Sequence, residues 1–301
     1  MQSSFITNNG IPSGFPSLDK ITGGWQNGDL IVIGSRPYVG KTAFGLNVAI
    51  NVAMNMHIPV MYYSLEMSTE YIAKRLLYSH ANAEGNIADR ISNLDKSEGQ
   101  QLEQRLLKLA KAPVYISDTP CLNISDFSEK APKHLSETGV MLIIIDMLQL
   151  MRGWPEDCGR RVDEVNHIIQ TLKETAVALG VPIIILAQLN RLMRKDSSAH
   201  IKPMLKDIRG TSAVEECADM VILLDRPSEK EIEEHPETES RESLLLPALY
   251  RHSMRRYRLQ DGLLFAKLFH PAVQTGIRHD ACRIPQQGRQ TDVKLYARSI
   301  Q

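Results

Sequence analysis

Continuous apolar runs that end on polar residues constrain this chain more than any other feature. Val60-Met61-Tyr62-Tyr63-Ser64-Leu65, Met141-Leu142-Ile143-Ile144-Ile145 and Val181-Pro182-Ile183-Ile184-Ile185-Leu186-Ala187 do not alternate with polar residues, as a half-exposed strand would. They read as parallel strands buried on both faces. A fourth run, Asp29 to Ile33, leads through Arg36-Pro37-Tyr38-Val39-Gly40-Lys41-Thr42 into a helical pattern at Phe44, Leu46, Val48 and Ala49. Val162, Val165, Ile169, Leu172, Ala176 and Leu179 form a further helical stripe that stops at Gly180, and all of it is expected in the core. Another helix is expected from about Glu98 to Lys111, with Leu102, Leu106 and Leu109 on one face, before a short strand at Val114-Tyr115-Ile116. Strands alternating with helices predict an α/β fold with a mostly parallel twisted sheet flanked by helices.

The residues just after each run point to phosphate chemistry. Gly40-Lys41-Thr42 sits at a strand-to-helix turn, where backbone N–H groups and the helix N-terminus favour anions. In that setting Ser35, Arg36, Pro37, Tyr38, Val39 and Gly40 would cradle phosphate oxygens, Lys41 would reach the β- and γ-phosphates, and Thr42 would hold Mg²⁺. The usual pattern opens with glycine five residues before Gly40. Here that position is Ser35, with Gly34 one residue earlier, so on this motif alone a helix start without a ligand is the alternative.

Acids close two other runs. Ligands of open α/β sheets sit outside the carboxyl ends of the strands, which sends Glu66 and Asp146 toward the same edge. Asp146 is suited to hold Mg²⁺ through its water shell, and Glu66 to orient and deprotonate an attacking water. The Val181 run delivers Gln188-Leu189-Asn190 to that edge, where the Gln188 amide can sense a γ-phosphate or position the water. For any one of these residues a helix cap or a strand-end hydrogen bond is the competing explanation.

Composition narrows the class. At 301 residues and 43% hydrophobic, the chain is long enough for one large α/β core. No run reaches the roughly 18 apolar residues of a membrane span, and the first nine residues are polar, so a soluble cytoplasmic protein without membrane contact is expected. Cys121, Cys158, Cys217 and Cys282 are scattered without Cys-x-x-Cys spacing, as free thiols would be. The zero net charge is unevenly distributed. Arg191, Arg194, Lys195, Lys202, Lys206 and Arg209 cluster just after the Gln188 strand, and Arg152, Arg160 and Arg161 frame a stretch with Gly153, Trp154, Pro155 and Gly159. Glu229 to Glu242 is acidic, and the region from Arg251 to Gln301 is basic.

The segment from Gly10 to Asp19, together with Gly28-Asp29-Leu30-Ile31, Arg36-Pro37, Gly40-Lys41-Thr42, Ser64-Leu65-Glu66-Met67, Ile145 to Met151, Gln188-Leu189-Asn190-Arg191, Asp207-Ile208-Arg209 and Ala218 to Val221, resembles the ATPase domain of DnaB-type replicative helicases. The resemblance covers about residues 8 to 226 and does not require glycine at Ser35. It implies a RecA-like P-loop NTPase fold in which the Gln188 strand inserts between the phosphate-loop strand and the Asp146 strand. It also implies ATP and Mg²⁺ as ligands, single-stranded DNA as partner, a homo-oligomeric, hexameric ring and possible replication partners. By the resemblance the basic loop after Gln188 is a pore loop and the stretch from Arg152 to Arg161 is a further candidate, which would set Arg152, Arg160, Arg161, Arg191, Arg194, Lys195, Lys202 and Lys206 on DNA phosphates; a solvated basic loop is the alternative for each.

The expected organisation is a linker remnant at 1–9, an ATPase core at 10–226, an acidic loop at 227–243 and a basic extension at 244–301 with possible edge strands. In that extension Leu263 to Lys267 resembles the family strand whose lysine reaches a neighbour's ATP, but Phe269 stands where its arginine is expected, with Arg278 the nearest arginine downstream. Weak motor activity is the consequence expected of that departure. The expected function is an ATP-dependent helicase or translocase. The alternatives are a RecA- or RadA-like recombination ATPase and a non-motor ATP-binding scaffold or helicase loader; a phosphotransferase would need an acceptor pocket that this residue set does not suggest.

Overall fold

The computed structural model describes residues 10–81, 96–154, 161–190, 203–208, 211–225, 243–251 and 265–267. The chain runs α1 (Pro16–Thr22), β1 (Leu30–Ser35), α2 (Lys41–Ile50), β2 (Val60–Ser64), α3 (Thr69–Ala81), α4 (Lys96–Lys111), β3 (Val114–Ser117) and α5 (Ile124–Thr138). It continues β4 (Leu142–Asp146), α6 (Arg161–Leu179), β5 (Ile183–Gln188), α7 (Thr211–Cys217), β6 (Met220–Asp225), β7 (Ser243–Arg251) and β8 (Phe265–Lys267). The sheet order is β3-β2-β4-β5-β1-β6-β7-β8. Strands β1 to β6 pair in parallel, and two antiparallel strands follow beyond β6, first β7 and then β8 at the edge. As the family resemblance implied, β5 lies between β1 and β4.

The apolar runs are continuous because both faces of each strand are covered. On one face Ile31, Ile33, Tyr62, Ile144, Ile184 and Leu186 pack with Phe44 and Val48 of α2. On the other, Leu30, Val32, Met61, Tyr63, Ile143 and Ile145 pack with Phe127 of α5 and Ile168 and Leu172 of α6. The α6 stripe differs from expectation at its start. Val165, Ile169, Leu172 and Ala176 are buried, but Val162 is 60% exposed, and Ile168 takes a core position instead. Helix α5 was not expected at all; Pro132 lies inside it, a residue that normally argues against a helix interior.

The N-terminal segment fixes α2 against the sheet. Ile11 and Trp25 exchange backbone hydrogen bonds of 2.8 and 2.7 Å. The Phe15 ring stacks on Phe44 of α2 at 5.3 Å between centroids. Within α2, a Cβ at Gly45 would lie 2.8 Å from Leu186 Cδ1, so the missing side chain lets the helix approach the strands.

The crossing of the Ile11 and Trp25 segments generates a stability prediction. Gly24 has φ +79°, and a Cβ there would lie 2.7 Å from Gly10 O and 2.8 Å from Ile11 O. Gly139, the C-cap of α5, has φ +66° with nothing within 4 Å of its Cβ position. Gly139→Ala should cost about 1–2 kcal/mol from backbone conformation alone. Gly24→Ala carries that cost plus displacement of two carbonyls, so it should destabilise by at least about 1 kcal/mol more. Urea unfolding of the two variants decides it, and equal midpoints would show that the crossing is not rigid.

Candidate functional site

Parallel pairing brings four strand ends to one edge. Ser64 is level with Asp146 across β2 and β4, Asp146 with Leu186 across β4 and β5, and Ser35 with Gln188 across β1 and β5. The phosphate-loop candidate therefore begins beside Gln188. Its turn uses left-handed backbone at Tyr38 (φ 65°) and Gly40 (φ 116°) before α2 starts at Lys41. Gly40 is the N-cap, and no side chain caps the helix, which leaves first-turn N–H groups to a ligand or solvent. Gly34 serves packing: a Cβ there would lie 2.9 Å from Leu223 Cδ2 and 3.1 Å from Leu189 Cδ2.

Lys41 is 9% exposed. Its Nζ lies 3.4 Å from Asp146 Oδ1 and 3.4 Å from Met147 Sδ. Charge-assisted hydrogen bonds normally close to about 2.7–2.9 Å, so this buried ammonium, with three donors, is only loosely engaged. That is the arrangement an anion at the helix terminus would complete. Asp146 is held from its other side, because the Tyr62 hydroxyl donates to Oδ2 at 3.0 Å. Burial, and after it the Asp146 carboxylate, keep the Tyr62 phenol protonated far above its ordinary range. Thr42, half-buried, follows Lys41 in the first turn.

Glu66 is exposed on the turn after β2. Ser64 shapes that turn: its Oγ accepts from Met67 N–H at 3.2 Å and donates to Met67 O at 2.6 Å. The Leu65 N–H bonds Asp146 O at 2.7 Å, so Glu66 departs from a point still in register with the Asp146 strand. The Gln188 backbone is engaged by the Gln149 carboxamide, and Leu189 N–H bonds Ser35 O at 2.9 Å.

The residues expected to contact DNA fall into three groups. Arg152 and Lys206 are exposed on the segments after β4 and β5, and Trp154 is exposed near the first. Arg161 turns inward: its guanidinium bonds Met151 O and Gln149 O, both at 3.1 Å, and pairs with Glu164 at 2.6 Å. Arg160, Arg191, Arg194, Lys195 and Lys202 lie outside the described residues, as do Phe269, Arg278 and the acidic stretch 229–242. Lys267 is on β8, three strands beyond β1, so the sheet order does not bring it to this chain's phosphate loop. Among the described residues, no helix is long and apolar enough to cross a membrane.

Three contributors were not singled out from sequence: Tyr62, Gln149 and the Arg161–Glu164 pair. A tyrosine inside a buried strand is itself a signal, since its hydroxyl must find a partner. Gln149 carries no comparable local mark, and the charge of Arg161 pointed to DNA rather than to the carbonyls and the Glu164 carboxylate that it meets.

A left-handed turn before an uncapped helix, a buried lysine and acids on adjacent parallel strand ends define a phosphate-loop, RecA-like α/β domain. The chain belongs to the DnaB-like helicase C terminal domain family, whose model matches residues 10–250. It is 40% identical to the replicative DNA helicase DnaB of Geobacillus stearothermophilus over 220 residues, covering 72% of this chain and 47% of that protein. With the DnaB of Pasteurella multocida it shares 32% identity over 273 residues, 90% of this chain and 57% of that one. Among solved structures it resembles the ATPase domain of G40P, with TM-score 0.66 and 27% identity, over 80% of this chain and 84% of that chain. A DnaB-like replicative helicase described with its primase interactions matches with TM-score 0.65 at 27% identity, over 79% of this chain and 56% of that chain. The chain spans about half the length of the Geobacillus relative.

The Tyr62 contact generates the next prediction. Tyr62→Phe keeps the ring but leaves Asp146 Oδ2 a buried acceptor without its donor, which should cost about 1–3 kcal/mol in urea unfolding. An unchanged unfolding free energy would mean that Asp146 does not depend on this bond.

Proposed function

We propose that this chain is the ATPase engine of a DnaB-type replicative helicase, hydrolysing ATP and moving on single-stranded DNA within a homo-oligomeric ring. The observation that carries this reading is Lys41: a buried ammonium whose contacts among the described residues are at 3.4 Å, at the start of an uncapped helix and beside Asp146. Family membership supports the same reading.

In it, Lys41 and the backbone N–H groups of the turn from Ser35 to Thr42, in which Pro37 has none to offer, bind and orient the β- and γ-phosphates. Thr42 and Asp146 would hold Mg²⁺, which supplies Lewis-acid charge to phosphate oxygens when bound. Glu66 accepts a proton from the attacking water as its oxygen bonds the γ-phosphorus, while the bond from that phosphorus to the bridging oxygen breaks and ADP leaves. Gln188 positions that water. Exposed Arg152, Trp154 and Lys206 contact the strand together with Arg160, Arg191, Arg194, Lys195 and Lys202. Arg161 instead serves its loop from within. Lys267 acts on the site of a neighbouring subunit. A primase, of the kind named with the similar helicase structure, is a fitting replication partner.

A second reading, a non-motor ATP-binding ring component or loader, is favoured by Phe269 at the place where the family carries a trans-acting arginine. Turnover measured with and without single-stranded DNA, alongside oligomer mass, separates the two readings: a motor is stimulated, and a scaffold is not.

Two predictions test the roles. Lys41→Ala should weaken nucleotide binding by at least about 100-fold, whereas Glu66→Gln should bind normally and lose at least about 100-fold in kcat. Undiminished turnover in Glu66→Gln removes that residue from the mechanism. Neutralising Arg152 and Lys206 together should weaken single-strand binding equally for all sequences and lower the log–log salt slope by about 0.7 per lost phosphate contact. A slope equal to wild type would leave both as solvated surface residues.

A further inference from the structure

One side chain joins the loop that leaves Asp146 to the strand that carries Gln188. Gln149 sits in a 3-10 turn, Leu148–Leu150, directly after β4. Gln188 N–H donates to Gln149 Oε1 at 2.9 Å, and Gln149 Nε2 donates to Gln188 O at 3.0 Å. A backbone N–H can only donate and a carbonyl can only accept, so these two partners fix which end of the carboxamide faces which. A carboxamide carries the donor and acceptor of a peptide group. Gln149 therefore supplies, from its side chain, ladder bonds to β5 beyond the last backbone pair, Asp146 with Leu186.

The same turn is anchored on its far side. Arg161 Nη2 donates to Gln149 O and Nη1 to Met151 O, each at 3.1 Å, while Glu164 Oε1 accepts from Gly153 N–H at 2.8 Å. Residues 149 to 153 are thus bonded at several points to α6, and the Arg152 backbone also to Leu122 O and Ile124 N–H; the exposed Arg152 belongs to this braced segment and the exposed Trp154 follows it directly. Immediately past Gln188, Leu189 N–H bonds Ser35 O at 2.9 Å, where the phosphate loop begins. A displacement of the braced segment has a hydrogen-bonded route through Gln149 to Gln188 and on to Ser35.

We propose that Gln149 is a positioning residue that sets Gln188 according to the placement of the Arg152–Trp154 segment, so that DNA on that segment alters turnover at the phosphate loop. This rests on the helicase reading given above, in which that segment meets DNA and Gln188 positions the attacking water.

The test compares wild type, Gln149→Ala and Gln149→Glu in the full chain. Gln149→Ala removes both bonds; Gln149→Glu keeps an acceptor for Gln188 N–H but sets a carboxylate oxygen against Gln188 O. In both, the ratio of turnover with oligo-dT to turnover without it should fall by about tenfold or more, a size typical of coupling between sites. Affinities for a fluorescent ADP and for labelled oligo-dT should stay within about threefold of wild type. Amide hydrogen exchange at Gln188 should accelerate in Gln149→Ala, a readout independent of catalysis.

A wild-type ratio retained in either folded variant overturns the inference. So do both affinities weakening in step with turnover, because that marks general damage to the fold. If Gln149→Ala lacks a cooperative melt, Gln149→Glu, which retains one bond, carries the test. Wild-type turnover indifferent to oligo-dT instead overturns the helicase reading, and this inference with it.

Discussion

The placement of β4 between β2 and β5 governs the chemistry at this edge. Side chains alternate faces along a strand, so slipping β4 by one residue would turn Asp146 away from Lys41 and Tyr62 and send Ile145 toward them. That slip is opposed by burial: Ile143 and Ile145 fill one apolar layer while Leu142 and Ile144 fill the other. Each buried isoleucine is worth roughly 1.5–3 kcal/mol relative to exposure, and a slip would lose several of these placements together. Register is thus held by oil, and the acid goes where the oil puts it.

Asp146 is correspondingly well defined on one side and open on the other. A buried carboxylate needs partners to offset its desolvation, and the Tyr62 hydroxyl and Lys41 ammonium provide them. The two are not equivalent. The tyrosine bond, at 3.0 Å, has ordinary geometry, whereas the lysine stands at 3.4 Å with a thioether as its other neighbour. A positive group with spare donors next to an uncapped helix N-terminus leaves electrostatic work for a bound anion to complete.

The loops after β4 and β5 show how a surface segment is tied to a strand end. Connections of this kind carry function because a rigid scaffold presents them. Here Arg161 and Glu164 of α6 reach into the loop after β4, and Gln149 reaches from that loop to the backbone of Gln188 on β5. Arg161 shows why charge alone is an incomplete guide: it stands in a basic stretch, yet its guanidinium bonds carbonyls of its own chain.

Much of the fold was legible because burial on both faces leaves an unmistakable mark on a strand. The runs at Val60, Met141 and Val181 became β2, β4 and β5, and Gly180 ended α6 with a left-handed turn. Glu66, Asp146 and Gln188 could be assigned to strand ends because each stands where an apolar run gives way to polar sequence, and Lys41 to a helix start because it follows Gly40 in a strand-to-helix turn. Strand order was not available from periodicity, which is local; the place of β5 came from family likeness alone. Val162 is exposed although it fits the helical stripe, because spacing gives the face of a helix but not how much of that face a neighbour covers. Tyr62 meets Asp146 across 84 residues of sequence, and Gln149 meets Gln188 across 39, through strand register and loop path. The amino-acid pattern was enough to specify the elements and the chemical groups at their ends, since burial pattern and residue type are local properties. Which oxygen faces which donor was settled by the packed fold alone, because hydrogen-bond partners depend on distances that packing sets.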